Sequence, residues 1–389
     1  MSIDITRREL LQRLATSLAL TTIAGTALAQ DTTRAARGAG RRGGAPRDMT
    51  PLVPLFEPTG WKTVWLDHLN YQCVDYKKAA AFYGTLMGWK VRSDDGSQCV
   101  MDIGDNVGGI VLRNGLTAAP PAAITDAGLG VTRPPVEAVF DGFAWGIAPW
   151  DEKRVKAELE RRGLNPVADH HGDEYRAFRV KDPDGFDVAI TNGTRANRRR
   201  SPATGKLPAK VAFEPTGWNT LYLDHISFEV PDYRRSAAFY QALLGWEMRQ
   251  GGGGGQTTVL IGDGGSVGGA IIRGNAAARA AQRGAGGGGG GGRGGGGAPA
   301  VDSATIAQAI ANTPKRNGST AAIGHISFGI ENWNTERVHD ALKSRGVGYI
   351  NADKQLEPRP DMTGTLESFH VPDAMGWDLQ IGNKTSADH

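Results

Sequence analysis

The chain has 389 residues, of which 40% are apolar, 7% aromatic and 22% charged, a length that asks for two or three domains. Lys+Arg minus Asp+Glu is 44 − 41 = +3, which gives no support for a nucleic-acid protein, and two cysteines exclude a disulfide-dense scaffold or a four-cysteine zinc site. Glycine is high at 55 residues, but 12 of them fall within 284–297, so the excess is local.

Residues 1–29 carry Arg7-Arg8, an apolar run from Leu14 to Ala27, and the small-residue step Ala27-Leu28-Ala29. This order resembles a Tat-type signal peptide, which implies export to a bacterial periplasm or beyond. After residue 29 there is no 18-residue apolar run, so the mature chain is expected not to span a membrane. Residues 30–55 form an Arg/Gly-rich linker expected to be disordered.

The rest repeats itself at an offset of 157 residues: FEPTGWKTVWLDHLNYQCVDYKKAAAFYGTLMGWKVR at 56–92 returns as FEPTGWNTLYLDHISFEVPDYRRSAAFYQALLGWEMR at 213–249. A weaker repeat follows each copy, GFAWGIAPW…FRVKDPDGFDVAI at 142–190 and GHISFGIEN…FHVPDAMGWDLQI at 324–381. The chain is therefore four similar modules in two pairs. Each opens with a strand: Val64–Tyr71, Phe143–Ala148, Leu221–Val230 or Ile323–Ile330. In the first and third, an aspartate cap (Asp75, Asp232) precedes a helix, Tyr76–Met87 or Tyr233–Leu244, that a glycine stops. Two or three short strands close each module, so the fold class is α+β, with modules of order β-α-β-β-β that must pair to bury a core. The domains are 56–193 and 213–385, joined by a basic linker at 194–212; a Gly-rich insert at 275–318 interrupts the second. Both the linker and the insert are expected to be disordered. Deleting part of 284–297 should leave the fold intact.

LDHxxxxVxDxxxxAAFYxxLxGW, the VGGxxxR close, and GHISF…FHVPD…GWDLQI resemble the vicinal oxygen chelate (VOC) superfamily, the fold of glyoxalase I, bleomycin resistance proteins and extradiol dioxygenases. The resemblance covers nearly all of 56–385 outside the linkers, and it implies two glyoxalase-like domains, each an open barrel with metal ligands on the first and last strands of its modules. First-strand positions are His68, Gly142, His225 and His325; the last strands of modules two and four offer Ala189 and Gln380. The N-terminal domain thus has a degenerate site. The C-terminal domain keeps His225, His325 and Gln380 as metal ligands, close to the two-His-one-carboxylate site of non-haem iron enzymes, with a neutral carboxamide as the departure. Glu229 and Asp378 are the proton-transfer candidates.

On this reading the protein is an exported glyoxalase- or dioxygenase-like binder of a small oxygen-rich molecule, using a divalent ion (Fe, Mn, Zn or Ni). The alternative is a metal-free binder of the bleomycin-resistance type. Two domains in one chain imply a monomer. Sequential pairing of modules is expected; a swap would replace His225 by His68 in the site. Alternation sends Asp67 and Asp224 to the opposite face from the histidines, to cap or pair with backbone. His170 and His171 read as a surface cluster and His339 as solvent-facing, whereas Trp61, Trp89, Trp218 and Trp246 read as inter-module packing. Cys73, just after the first strand, and Cys99, in the second, are expected to be free thiols, too far apart to bridge.

Overall fold

The computed structural model describes residues 51–116, 124–126, 130–171, 174–249, 255–275, 278 and 321–385. The signal-like segment, residues 30–50 and most of the Gly-rich insert, including 284–297, lie outside the described residues. No helix among the described residues is long and apolar enough to cross a membrane.

The first half runs β1 (Lys62–Cys73), α1 (Tyr76–Met87), β2 (Lys90–Asp94), β3 (Gln98–Ile103) and β4 (Gly108–Asn114), then a hairpin of β5 (Ile124–Asp126) and β6 (Val131–Arg133). It continues with β7 (Ala138–Ala148), α2 (Glu152–Arg161), β8 (Val167–Ala168), β9 (Ala177–Lys181) and β10 (Asp187–Thr191). A short α3 (Arg195–Arg198) leads out of it. The second half follows the same plan with β11 (Thr220–Val230), α4 (Tyr233–Leu244), β12 (Glu247–Arg249), β13 (Gln256–Ile261) and β14 (Gly268–Gly274). Its last module has β15 (Ala322–Ile330), α5 (Thr335–Ser344), β16 (Tyr349–Asn351), β17 (Leu356–Glu357), β18 (Arg359–Thr363), β19 (Leu366–Pro372) and β20 (Asp378–Gly382).

Helices α1 and α4 begin and end where cap chemistry demands. The Asp75 carboxylate accepts from the Lys78 amide, the Asp232 carboxylate from the Arg234 and Arg235 amides, and Gly88 and Gly245 close the helices at φ 71° and 67°. Each half is one eight-stranded sheet, β2-β3-β4-β1-β7-β10-β9-β8 and β12-β13-β14-β11-β15-β20-β19-β18. Modules therefore pair sequentially within a sheet, through antiparallel β1–β7 and β11–β15 seams.

The helix-bearing faces of the two sheets share one hydrophobic core, and the contacts across it run diagonally. Tyr71 and Tyr83 of module one donate to Asp373 of module four, the latter at 2.7 Å, and Tyr240 of module three donates to Asp182 of module two at 2.8 Å. Trp89 donates to Thr220 Oγ1 and Trp246 to Thr63 Oγ1, the inter-module packing expected of these rings. The hairpin β5–β6 crosses over as well: with β16 and β17 it makes a four-stranded sheet, β17-β16-β6-β5.

Two local expectations fail. Cys99 lies on β3, not on a second strand, yet β4 still separates it from Cys73, and both buried cysteines are free. The segment 194–212 is ordered at its start: Thr194 caps α3 in a reciprocal box with Asn197, and Arg198 and Arg199 fold back onto the first sheet. Composition alone counted six unpaired cations there; Asp67 and Asp102 are the partners it could not see.

Candidate functional site

The site lies on the sheet face turned away from the shared core, and strand register assembles it. Across β11, β15, β20, β19 and β18 one row reads His225, Ser327, Gln380, His370, Arg359, each directly opposite the next. Residues two along a strand share its face. A second row therefore runs parallel to the first, with Ser227 opposite His325 on β15, then Asp378 on β20.

The two expected histidines meet: His225 Nε2 and His325 Nε2 are 2.9 Å apart, with rings at 80°. Two nitrogens bound to one ion at about 2.1 Å each stand about 3.0 to 3.4 Å apart, so this pair is close to a chelating separation. Gln380 sits in the row as expected. Its Nε2 donates to Ser368 Oγ at 2.8 Å, which turns Oε1 away, and Oε1 is buried with no partner. Ser227 Oγ and Ser327 Oγ are likewise buried and unpartnered on this face. Three unsatisfied buried polar atoms around two imidazoles cost free energy unless something polar fills the space between them. The donor set fits a divalent ion.

Charge around the pair is arranged asymmetrically. Burial, with His225 and His370 nearby, pulls the His325 imidazole well below its ordinary value, so it stays neutral and able to ligate. His370 goes the other way. Burial lowers it, but the Asp378 charge and hydrogen bond, with the Asp361 carboxylate 3.8 Å from Nε2, outweigh burial and leave it raised. Asp378, lowered despite complete burial, is held ionised by His370.

His370 was not singled out from the sequence, although its signal was present. On FHVP, Phe369 and Val371 enter the core, so His370 must face the site. His370 Nδ1 lies 3.1 Å from Asp378 Oδ2, and Tyr349 donates to Asp378 Oδ1 at 2.9 Å. His325, His370 and Asp378 are close enough to form a metal-binding group of their own. However, the Asp378 carboxylate already holds His370, so Asp378 serves to orient that ring. Glu229 lies further along β11, opposite Arg273 of β14 and beside Gly324, outside the histidine rows.

Asp224 departs from expectation. Its Oδ2 is 2.7 Å from His225 Nδ1, and Asp67 Oδ1 is 3.0 Å from His68 Nδ1. Register shifts on β11 between Leu223 and His225, and on β1 between Leu66 and His68, break the strict alternation. The aspartate can then reach around to its own histidine. A carboxylate on Nδ1 fixes the tautomer and aims Nε2 at the site, as in carboxylate–histidine–metal arrangements.

The equivalent row of the first sheet reads His68, Ala144, Ala189, Arg179. Ala144, Ala177 and Ala189 pack with Tyr175, and Arg198 lies 5.1 Å over the Tyr175 ring while its Nε meets Asp67 Oδ2 at 2.7 Å. His68 is thus a hydrogen-bonded histidine in a filled face. His171 pairs with Asp169 and is largely exposed, while His339 pairs with Glu357, both away from the site.

A fold of tandem β-α-β-β-β pairs with a His-rich face on one sheet defines a class. The chain belongs to the Glyoxalase/Bleomycin resistance protein/Dioxygenase superfamily, whose family model matches residues 65–190 and 222–381. Among solved structures it is similar to a catechol 2,3-dioxygenase (TM-score 0.50, 14% identity, 82% of this chain and 88% of that one). It is also similar to the Mn(II)-bound glyoxalase from Novosphingobium aromaticivorans (TM-score 0.50, 13% identity, 83% and 82%). A variant of homoprotocatechuate 2,3-dioxygenase from B. fuscum aligns at TM-score 0.48 and 16% identity over 88% and 75%. At these identities the likeness is one of fold. No curated protein matches the chain in sequence.

Proposed function

We propose that the C-terminal half is a metal-dependent site of the glyoxalase/dioxygenase kind. His225 Nε2, His325 Nε2 and Gln380 Oε1 hold one divalent ion, and a small oxygen-rich molecule binds beside it. The observation that carries this is the 2.9 Å imidazole pair, flanked by buried, unpartnered Gln380 Oε1, Ser227 Oγ and Ser327 Oγ. When bound, such an ion supplies Lewis acidity to a ligand oxygen. The chain's own residues do the rest. Asp224 holds His225 by Nδ1, and Asp378 holds His370, leaving His370 Nε2 as the nitrogen placed to move a proton at the site. This assigns proton transfer to His370 in place of Asp378, whose carboxylate is engaged by His370 and Tyr349.

The same 2.9 Å contact favours a second reading. A neutral imidazole can donate to another, so His225 and His325 can satisfy each other in a metal-free binding protein. Elemental analysis of the purified protein, with His225→Ala, His325→Ala and His68→Ala in parallel, decides. We expect about one divalent ion per chain, lost with His225→Ala or His325→Ala and kept with His68→Ala. No bound ion after loading, or loss with His68→Ala alone, would sink the metal reading.

Export is also inferred, from Arg7-Arg8 and the Ala27–Ala29 step. Replacing both arginines by lysine should strand the protein in the cytoplasm; continued periplasmic recovery would refute this.

A further inference from the structure

Asp378 sits between two partners. Its Oδ1 accepts from the Tyr349 hydroxyl at 2.9 Å, and its two oxygens lie 3.1 and 3.2 Å from His370 Nδ1. All three side chains are buried. Burial pushes the Tyr349 phenol well above its ordinary value, so the hydroxyl stays a donor. A carboxylate facing His370 alone could turn about its own bond and offer either oxygen. A second donor of fixed position removes that freedom and so fixes the imidazole.

Tyr349 does not stand on the sheet that carries His370. Its strand β16 pairs only with β17 and β6, with Ile350 opposite Thr132 and Asn351 opposite Val131. Strand β6 belongs to the chain between modules one and two, so the first half supplies the strand against which Tyr349 is set. Arg133, at the end of β6, lays its guanidinium over the Tyr349 ring, 6.0 Å from its centre. The chain after β6 supports Asp378 by a second route. The Glu137 amide donates to the Met375 carbonyl at 2.7 Å, and Gly376 lies so close to the Pro135 carbonyl that no side chain would fit between them. That turn leads directly into β20 and Asp378.

The first half has no such arrangement on its own sheet. RGLNPV at 162–167 against RGVGYI at 345–350 puts Pro166 at the place of Tyr349. Asp187, the counterpart of Asp378, pairs with Lys181 at 2.7 Å, and Arg179 stands at the place of His370. Among the described residues, the Tyr–Asp–His arrangement occurs in the half whose face carries the histidine pair.

Resting on the reading of His370 as the proton-transfer group, we infer that Tyr349 is a positioning residue: through Asp378 it fixes the His370 ring, and the crossover strand β6 fixes Tyr349. The first half, whose own face is filled, thereby braces the site of the second.

The test reads the His370 Nδ1 proton by NMR, as its rate of exchange with water, in the full chain carrying isotope-labelled histidine and loaded with zinc. His370→Gln and His225→Gln assign the two signals. His225 Nδ1, held by Asp224 with no tyrosine behind it, is the internal control. We expect Tyr349→Phe, which removes one hydroxyl, to speed exchange at His370 at least tenfold and to leave His225 within twofold. Thr132→Pro takes a backbone N–H from β6 without touching Tyr349 and carries the same test should the first variant not fold. It should speed exchange at His370 at least threefold, again selectively. A change below twofold at His370 in Tyr349→Phe overturns the positioning role, and an unmoved signal in Thr132→Pro overturns the brace. Equal acceleration at both histidines marks general loosening and overturns both. Zinc content of the same samples keeps this apart from the metal reading. Selective acceleration without bound zinc supports the brace and refutes the metal; bound zinc without it does the reverse.

Discussion

Asp224 and His225 are sequence neighbours that an ideal strand would send to opposite faces, yet they are bonded at 2.7 Å. The same pairing recurs at Asp67 and His68, so the LDH triplet encodes a bulged strand in which a carboxylate steers its neighbouring imidazole. In the second half this has a consequence for binding. Asp224→Asn keeps the shape but loses the carboxylate that fixes the His225 tautomer and ring orientation, so metal affinity should fall about 10- to 100-fold with the melting temperature little changed. A competition titration against a chelator measures it, and unchanged affinity would reduce Asp224 to a spectator. His225 and His325 were legible as a pair because they occupy repeated positions. His370 has only Arg179 at its repeat position, and only strand register places it beside them.

At the scale of elements, the decisive difference between the halves is α3. It carries Arg198 into the first sheet's face, where the guanidinium meets Asp67 beneath Tyr175; both charged side chains are largely buried. The first half has a guanidinium at Asp67, whose counterpart in the second half, Asp224, holds His225 instead. Removing one partner of a buried pair strands the other. Arg198→Ala should therefore destabilise the protein by about 3 kcal/mol, read from chemical denaturation, while metal content stays at the wild-type value. A loss below about 0.5 kcal/mol would mean the pair is solvated. Thr194 and Asn197 advertised the cap of this helix in the sequence, but a run of cations with no acid among them read as a solvated linker. Its acids lie more than ninety residues away in the chain.

The whole molecule is held by diagonal contacts between halves, and two of them place carboxylates in the shared core. Burial, with Asp184 nearby, pushes Asp182 up to about 6 against the pull of Tyr240, and burial also raises Asp373. A carboxyl with a folded value above its unfolded one binds more protons when folded. Its stabilising contribution is therefore full below about pH 4 and is lost as pH rises through about 6. For Asp182 the difference is of order 3 kcal/mol. Melting temperature should rise as pH falls from 7 to about 5, and Asp182→Asn should flatten that part of the curve. The contrast between the two proteins isolates this group from Asp373. Parallel curves for the two would show that Asp182 titrates normally.

What the sequence determined by itself was everything local or repeated. The 157-residue offset revealed four modules, aspartate and glycine placed α1 and α4 to the residue, and side-chain identity left Gly142 and Ala189 without a metal-ligating group. These follow from cap chemistry and side-chain identity, which act over a few residues. Tertiary structure alone decided three things. It brought His370 and Arg359 into the row with His225, joined Arg198 to Asp67, and tied module one to module four through Tyr83 and Asp373. Each depends on strand order and register, or on partners up to 290 residues apart. Periodicity tells which face a residue takes; only the packed sheet tells what it meets there.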